Sequence, residues 1–378
     1  AKTVILVNFD ENDGYFDHVP SPSAPSSNDG SGKAGKSTLS DADMAFEYFT
    51  HPAPAGSHTQ PGPDGRVYGP GPRVPLFVIS PWSRGGWVDS QVFDHTSVLR
   101  FLEARFGVQE PNISPFRRAV CGDLTSAFNF ATPNTEALPT LAGRSTRSAV
   151  DQLRTAQEAL PAMPLPTDMQ LPIQASGTRP SRALPYELHT SARCSAEGMV
   201  ELLFSNTGRQ AAVFHVYDRL NLDRLPRRYV VEAEKSLSDT WDAFRDNLGR
   251  YDLWVLGPNG MHRHFKGDTA RIADTGVAPE IRVCYDIANG DVYADLMNAG
   301  ANPGDFTVTA MAYRQDGPWR QNVAGGATAS VHWSLEGSGQ WYDFAVTCAS
   351  DPTYYRRFAG RVETGKHTVS DPAMGTQA

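Results

Sequence analysis

The second half of the chain repeats itself, and this repetition restricts the possible folds more than any other feature. Four motifs recur about 92 positions apart: Asn206-Thr207-Gly208 as Asn298-Ala299-Gly300, Trp241 as Trp333, Tyr251-Asp252-Leu253-Trp254-Val255 as Tyr342-Asp343-Phe344-Ala345-Val346, and Phe265-Lys266-Gly267 as Phe358-Ala359-Gly360. Apolar and polar residues alternate in Ala211–Tyr217 and Phe306–Tyr313, a pattern typical of β-strands. We therefore expect two similar all-β domains, both immunoglobulin-like sandwiches, at 181–275 and 276–370.

The first 130 residues predict a different fold class. Thr3–Val7 and Val74–Ile79 are short apolar runs rich in β-branched residues, which predict buried strands of a parallel sheet. Asp94–Phe106 has apolar residues at helical spacing and is followed by Gly107, where a helix commonly ends. We expect Asp94 and His95 to cap and pack this helix rather than to act in catalysis. The segment 1–130 is thus predicted to be part of an α/β domain.

A change of composition separates the two halves. Ala, Pro, Thr and Gln dominate residues 131–180, and four prolines lie between 161 and 172. Such a segment is typical of a linker or of a strap across the surface. Within it, Leu153–Leu160 is predicted to form a short helix.

An acidic cluster follows the first predicted strand. Asp10 and Glu11 are adjacent, and Asp13, Asp17 and His18 come soon after. Ligands of open α/β sheets bind just outside the carboxyl ends of the strands. Two adjacent carboxylates there, with Gly14 to let the backbone turn, predict a seat for a divalent metal ion. The alternative is a polar loop whose acids are only solvated.

Composition and spacing argue against several functions. The net charge of −8 disfavours a nucleic-acid partner, and no apolar run approaches the roughly 20 residues of a membrane helix. Gly30–Thr38 fits the phosphate-loop pattern of nucleotide hydrolases, but Pro22–Asp29 before it supplies no strand, so we expect a flexible insertion and no nucleotide. The four cysteines form no C-x-x-C pair, so free thiols are expected, with a Cys284–Cys348 disulfide as the alternative.

Three long motifs carry a family resemblance, and they occur in the family's order: Phe9-Asp10-Glu11-Asn12-Asp13-Gly14-Tyr15-Phe16-Asp17-His18-Val19, Arg73–Gly86, and Phe93–Glu103. They resemble the bacterial phosphoesterases that group phosphocholine-preferring phospholipases C with certain acid phosphatases. The region after them is similar to the paired C-terminal modules of the phospholipase C branch. The family's catalytic domain begins a few hundred residues earlier, so the resemblance implies that this chain is a C-terminal portion.

The resemblance also implies a site. It implies an alkaline-phosphatase-like α/β domain in which a Ser or Thr nucleophile, upstream of Ala1, attacks phosphorus with the help of a bound divalent metal. Asp10 and Glu11 are the expected metal ligands, and Asp13 and His18 are expected to contact those ligands or the substrate. This chain alone is expected to be inactive.

The second motif contributes two more candidates. Arg84 is expected to hold phosphoester oxygens, with a turn held together by a salt bridge of the same arginine as the alternative. Trp82 is expected to line a choline-binding wall by cation–π contact, or else to be a core aromatic.

The implied substrate is phosphatidylcholine or sphingomyelin, a phosphocholine-containing lipid met at a membrane surface. The implied location is secreted or periplasmic. An acid phosphatase and a non-catalytic β-sandwich binding protein remain the alternatives.

Overall fold

The computed structural model describes residues 3–11, 17–27, 33–51, 62–137, 140, 143, 145–164, 167–168 and 175–374. The elements before residue 180 are β1 (Ile5–Asn8), β2 (Gly35–Ser37), α1 (Asp41–Met44), β3 (Leu76–Ile79), α2 (Thr96–Phe106), α3 (Pro115–Val120) and α4 (Arg147–Glu158). The predicted helix before Gly107 is confirmed as α2, and Gly107 ends it with a φ of 70° in the left-handed region. The helix predicted in 131–180 is α4, which begins six residues earlier than expected.

The prediction of buried parallel strands is wrong for the described chain. β1 pairs with β3 in an antiparallel, two-stranded sheet, with Ile5 opposite Ile79 and Val7 opposite Phe77. These four side chains are 42–55% exposed. The apolar composition of a buried strand is present, but among the described residues no further strand pairs with either edge of this sheet. Two strands alone cannot bury their own faces.

The remaining elements form two β-rich modules. The first has β5 (Leu188–Cys194), β6 (Met199–Asn206), β7 (Ala212–Asp218), β8 (Arg227–Val231), β9 (Lys235–Asp242), α5 (Ala243–Asn247), β10 (Arg250–Leu256), β11 (His262–Asp268) and α6 (Ala270–Thr275). The second has β12 (Pro279–Asp286), β13 (Asp291–Asn298), β14 (Gly304–Ala310), β15 (Trp319–Val323), β16 (Thr328–Trp333), β17 (Trp341–Cys348) and β18 (Asp351–Arg361). β4 (Pro180–Ser181) precedes the first module, and β19 (Thr368–Val369) follows the second.

Each module contains a three-stranded sheet that faces four strands of a larger sheet. The three-stranded sheets are β5-β6-β9 and β12-β13-β16, and the larger sheet has the order β15-β14-β17-β18-β11-β10-β7-β8-β2. In the first module, Phe204 of β6 stacks on Tyr229 of β8 with ring centroids 4.3 Å apart, and both rings are fully buried. In the second, Trp333 of β16 stacks on Phe344 of β17 at 4.6 Å. The facing sheets therefore enclose an apolar core.

The repeated Asn-x-Gly motif has the same role in both modules. The Asn206 amide donates to the carbonyls of Gln210 and Val231 at 2.8 and 3.0 Å. The Asn298 amide donates to the carbonyls of Asn302 and Val323 at 2.7 and 3.1 Å. Both side chains are at most 1% exposed. A buried amide that satisfies two loop carbonyls avoids the cost of leaving them unpaired, which explains the repeat.

The two modules join along β11 and β18, which are equivalent strands of the repeat. They pair antiparallel with His264 opposite Arg357, so the register is symmetric about equivalent positions. Arg356 of the second module donates to the Tyr251 hydroxyl of the first at 2.9 Å. Reciprocally, Arg263 of the first donates to the Tyr342 hydroxyl of the second at 2.8 Å. Both arginines are at most 1% exposed, so the seam has a buried polar interior.

Residues 180–182, where the predicted strap ends, connect this β-rich half to the N-terminal part. β4 pairs with β19, and Ser181 also bridges Val88. The adjacent Arg182 is buried, lies 4.3 Å from the Trp87 ring and donates to the Ala127 carbonyl at 2.9 Å.

The phosphate-loop-like segment also joins the β-rich half. β2, which the sequence predicted to belong to a flexible insertion, instead pairs parallel with β8 at the edge of the large sheet. Its Lys36 ammonium lies 2.9 Å from a carboxylate oxygen of Asp239.

Breaking the seam should be costly. Arg356 makes two hydrogen bonds, at 2.8 and 2.9 Å, to the largely buried carboxylate of Glu280. Replacing Arg356 by Met leaves that carboxylate without its partner, so we expect a loss of about 3–5 kcal/mol in the free energy of unfolding. The double variant Arg356→Met/Glu280→Met should recover part of the loss, because no unpaired charge remains.

Chemical denaturation followed by intrinsic fluorescence measures both effects. The control is Arg282→Ala. Arg282 lies at an exposed position of β12 and pairs with Asp295, so this substitution should lower the free energy of unfolding by less than about 1 kcal/mol. Equal losses for Arg356→Met and Arg282→Ala would contradict the importance of the buried seam.

Candidate functional site

The acidic segment begins where β1 ends. Asp10 and Glu11 follow the strand by two and three residues, and both are exposed. Asp13 lies outside the described residues. His18 is described and exposed. The structure therefore presents the two predicted metal ligands to solvent at the end of the first strand.

His95 reaches this strand end from a distant part of the sequence. Its ring lies between the Asn8 amide, 3.0 Å from Nδ1, and the Asp10 carbonyl oxygen, 2.8 Å from Nε2. Because a carbonyl can only accept, Nε2 carries the proton and Nδ1 accepts from Asn8. The neutral imidazole thus fixes the backbone at Asp10.

The sequence analysis did not assign this role to His95. It predicted capping, but the His95 side chain makes no capping hydrogen bond to α2. A histidine just before a helix, inside one of the three family motifs, was the available signal. Sequence spacing alone could not reveal that the ring crosses 85 positions to Asp10.

A buried ion-pair cluster holds the start of α2. Arg117 of α3 donates to the carboxylates of Asp94 at 2.8 Å and Glu47 at 3.0 Å. The side chains of both acids are less than 10% exposed. The Ser114 hydroxyl also donates to Glu47, at 2.7 Å. Asp94 is therefore committed to this cluster, which positions its neighbour His95.

Asp17 belongs to a clamp on the segment before β3. Its carboxylate accepts from the Arg73 guanidinium, at 2.9 Å from both Nε and Nη2, and from the Arg73 backbone N–H at 2.8 Å. These hydrogen bonds hold the pKa of Asp17 well below its usual range. The clamp joins residue 17, where the described chain resumes, to residue 73, which precedes β3.

Arg84 and Trp82 follow β3, and neither contacts the Asp10 segment through a described hydrogen bond. The Arg84 guanidinium donates to the backbone carbonyls of Asn134 and Glu136. Trp82 is partly buried against Phe130, with ring centroids 5.5 Å apart, and Phe130 stacks on Phe128. These contacts favour a structural role for Arg84. The guanidinium bonds to backbone carbonyls, however, rather than to the carboxylate that a salt bridge would require.

The donor atoms at this strand end decide whether the site fits a metal ion. Asp10 and Glu11 offer exposed carboxylate oxygens, the ligand type that hard divalent cations prefer. Within the described residues, no group of three or more His, Cys, Asp or Glu side chains converges as a metal site would require. The two carboxylates thus fit part of a coordination sphere, and the described chain does not complete it.

Histidines of the β-rich modules lie beside carboxylates or within the core. His264 lies in a buried pair with Asp252, 2.7 Å apart, and His332 lies 3.1 Å from Asp291. His215 is buried between β8 and β10, and its Nδ1 has no hydrogen-bond partner in the described chain. Burial, with a smaller contribution from Arg228, lowers the pKa of His215 to about 3.

All four cysteines are free thiols, so the alternative Cys284–Cys348 disulfide does not form. Within the described residues, no helix is long and apolar enough to cross a membrane.

Comparison with protein families matches most of the chain. Residues 1–109 match the family model described as the phosphoesterase family. Residues 180–268 and 279–361 each match the C-terminal domain of bacterial phospholipase C. The two ranges of the second match contain the strands β5–β11 and β12–β18 of the two β-rich modules.

Individual relatives extend over the whole chain. The non-hemolytic phospholipase C of Pseudomonas aeruginosa is 48% identical over 378 residues, which are 99% of this chain and 52% of that protein. The non-hemolytic phospholipase C of Burkholderia pseudomallei is 43% identical, covering 100% of this chain and 51% of that protein. The hemolytic phospholipase C of Pseudomonas aeruginosa is 38% identical, with coverages of 100% and 52%. The chain spans about half the length of the curated relatives it matches.

Acid should destabilise the first module through His215. The folded pKa of about 3 lies below the unfolded value of about 6.5, so below pH 6.5 the unfolded chain binds a proton that the folded chain does not. Folding stability therefore decreases as the pH is lowered. Between pH 6.5 and 4.5 we expect this histidine to reduce the free energy of unfolding by about 2 kcal/mol.

The variant His215→Leu should lose that part of the pH dependence while keeping a buried apolar side chain. Urea denaturation at several pH values measures it. His51→Gln, at an exposed position, is the matched control and should retain the parent slope. A parallel fall in stability for the parent and for His215→Leu would exclude His215 as the cause.

Proposed function

This chain belongs to the phosphoesterase family and carries the C-terminal modules of bacterial phospholipases C, and from this premise we propose that it is part of a phospholipase C. The proposed reaction is hydrolysis of a phosphodiester on the glycerol or ceramide side of the phosphate, with release of phosphocholine. The observation that carries the proposal is the pair Asp10 and Glu11 at the end of β1, held by His95, within the range that matches the phosphoesterase family.

The proposal assigns metal binding to Asp10 and Glu11. Their carboxylates supply oxygen ligands to a divalent cation, and the chemistry of such a cation when bound is to lower the pKa of a hydroxyl and neutralise charge at phosphorus. His95 fixes the backbone from which Asp10 projects, through its bond to the Asp10 carbonyl. The Asp17–Arg73 clamp fixes residue 17 against the segment before β3. These residues therefore orient the ligands before any substrate binds.

The hydroxyl nucleophile is proposed to come from residues beyond these 378. The relatives are about twice as long as the matched region, which leaves room for further strands and ligands. The exposed faces of β1 and β3 support this proposal. Their apolar side chains are of the kind found in strands whose faces are covered by other elements. We propose that residues 1–130 belong to an alkaline-phosphatase-like α/β domain completed in this way.

The β-rich half is proposed to comprise two immunoglobulin-like sandwiches, at 181–275 and 276–370, after a linker or strap at 131–180. In each, three strands face four. The first, second and fifth strands of the module form one sheet and the other four form the second, an arrangement that such sandwiches use. Arg182, just after this segment, contacts the Trp87 ring and the Ala127 carbonyl. These contacts support a role for the end of the segment in holding the modules against the N-terminal part.

The proposed substrate is a phosphocholine-containing lipid, phosphatidylcholine or sphingomyelin, met at a membrane surface. Asp13, His18 and the Trp82 ring are the side chains proposed for substrate contact, whereas Arg84 donates to the backbone carbonyls of Asn134 and Glu136. The proposed location is outside the cytoplasm, secreted or periplasmic. The relatives are named as phospholipases C, which supports a phospholipase C activity over that of an acid phosphatase of the same superfamily.

Removing the proposed ligands tests the assignment in the full-length protein. Asp10→Asn and Glu11→Gln keep side-chain size but remove the negative charge, so each should lower divalent-metal affinity and phosphocholine release together, by about 100-fold or more. Metal titration by calorimetry and an assay of a soluble phosphocholine diester measure the two effects. The control Asp316→Asn removes an exposed carboxylate of the second module and should change neither.

The same experiment separates the alternatives. An acid phosphatase would hydrolyse phosphate monoesters better than the diester and would lose that activity in Asp10→Asn. A non-catalytic binding protein would have no metal-dependent turnover in its parent form, and its partner affinity would survive both substitutions.

His95 should act through Asp10 rather than on the substrate. His95→Ala removes the bond to the Asp10 carbonyl, so we expect metal affinity to fall about 10–100-fold, as when other groups that orient metal ligands are removed. His95→Gln retains an N–H donor and should lose less. Arg105→Ala, at an exposed position of the same helix, is the control. Unchanged metal affinity in His95→Ala would leave His95 with a packing role only.

A further inference from the structure

The helix α4 has an unusual environment. It spans Arg147–Glu158, and none of its residues is buried. The Thr146 hydroxyl caps its start by accepting from the Ala149 N–H at 3.2 Å. It lies in 110–179, between the two ranges matched by the family models. The helix is therefore well formed locally yet buries no side chain within the described structure.

One side of this helix is apolar. Val150 and Leu153 lie three residues apart on one face of the helix, Leu160 follows two residues beyond its end, and the three are 51%, 59% and 68% exposed. Met163, just beyond the helix, is 90% exposed. Ala149 and Ala156 fall on the same face by helical spacing. The result is an apolar stripe about three turns long without a partner among the described residues.

The opposite side carries charge in balance. Arg147 lies 3.7 Å from Asp151, and Arg154 lies 2.8 Å from Glu158, each pair one turn apart. Between residues 145 and 163 these are two positive and two negative side chains, so the segment has no formal net charge. The whole chain has a net charge of −8.

An isolated helix of this length needs a partner. Helices shorter than about 12–15 residues are marginal in water, and most of their stability in proteins comes from burying an apolar face. A helix with an apolar stripe and a polar opposite side suits the plane of a lipid interface. The balanced charge selects the kind of lipid, because an anionic surface would repel a chain of charge −8, whereas a zwitterionic surface would not.

We propose that α4, together with Leu160 and Met163, lies in the interface of a zwitterionic phospholipid surface, with Val150, Leu153 and Leu160 directed toward the acyl chains. This inference rests on the proposed function only in taking the surface to be the one that carries the substrate. α4 then acts as an anchor, separate from the residues around Asp10. It holds the enzyme on the membrane between successive substrates.

Vesicle flotation of the full-length protein tests the anchor. The background is Asp10→Asn, so that turnover does not consume the lipid during the measurement, and the vesicles are pure phosphatidylcholine at physiological salt. Val150→Gln/Leu153→Gln removes two apolar side chains from the stripe, and we expect it to weaken vesicle binding about tenfold or more. The control Ser148→Gln/Thr155→Gln changes the opposite side of the helix and should bind like its parent.

Three results would overturn the inference. They are equal flotation of the stripe variant and its parent, binding only to vesicles that contain anionic lipid, and a stripe variant that changes the oligomeric state without changing flotation. The last result would assign the stripe to a second copy of the chain.

Activity distinguishes this inference from the proposed function. In the background with Asp10 intact, Val150→Gln/Leu153→Gln should keep kcat on a soluble phosphocholine diester and lose about tenfold on vesicles. If the parent hydrolyses neither substrate, the proposed function fails, while the flotation result still decides whether α4 binds lipid.

Discussion

Two buried arginines at the seam between the modules hold the β-rich half together. Arg263 and Arg356 occupy equivalent positions of the repeat, and each donates to the tyrosine hydroxyl of the opposite module. The desolvation of Arg356 is offset by the Glu280 carboxylate and the Lys266 carbonyl, and that of Arg263 by the Ala359 carbonyl and the Tyr342 hydroxyl. Because such partners must be placed accurately, the seam fixes how the modules lie relative to each other. The continuous nine-stranded sheet depends on this pairing of β11 with β18.

The candidate site depends on a different cluster. Arg117, with Glu47 and Asp94, anchors the start of α2 and thereby places His95 against the end of β1. The connection from the buried ion pairs to Asp10 passes through one imidazole ring. The site and the β-rich half are joined by the strap, where Arg182 contacts Trp87 and the Ala127 carbonyl. The modules thus help to hold the N-terminal part, which contains the candidate site.

Much of this organisation was predictable from local patterns. The Asn-x-Gly repeat indicated two similar modules because a buried asparagine with fixed loop partners tolerates little variation in its spacing. Gly107 marked the end of α2 because its positive φ favours glycine. Asp10 and Glu11 as metal ligands stay a prediction, drawn from the position of acids after a strand. β2 was missed because three residues after a glycine-rich stretch carry no strand period, and their partner β8 lies about 190 positions away.

The sequence by itself determined the repeat, the strand and helix periods, and the acids that follow β1, since each depends on neighbours along the chain. Only the tertiary structure decided that His95 bonds to Asp10, that Arg263 and Arg356 exchange partners across the seam, and that Arg84 binds carbonyls. These contacts join residues tens to hundreds of positions apart, and their energies depend on burial and distance, which spacing does not encode. For the same reason the apolar runs of β1 and β3 predicted buried parallel strands wrongly, because in the described chain they form a two-stranded antiparallel sheet with exposed faces.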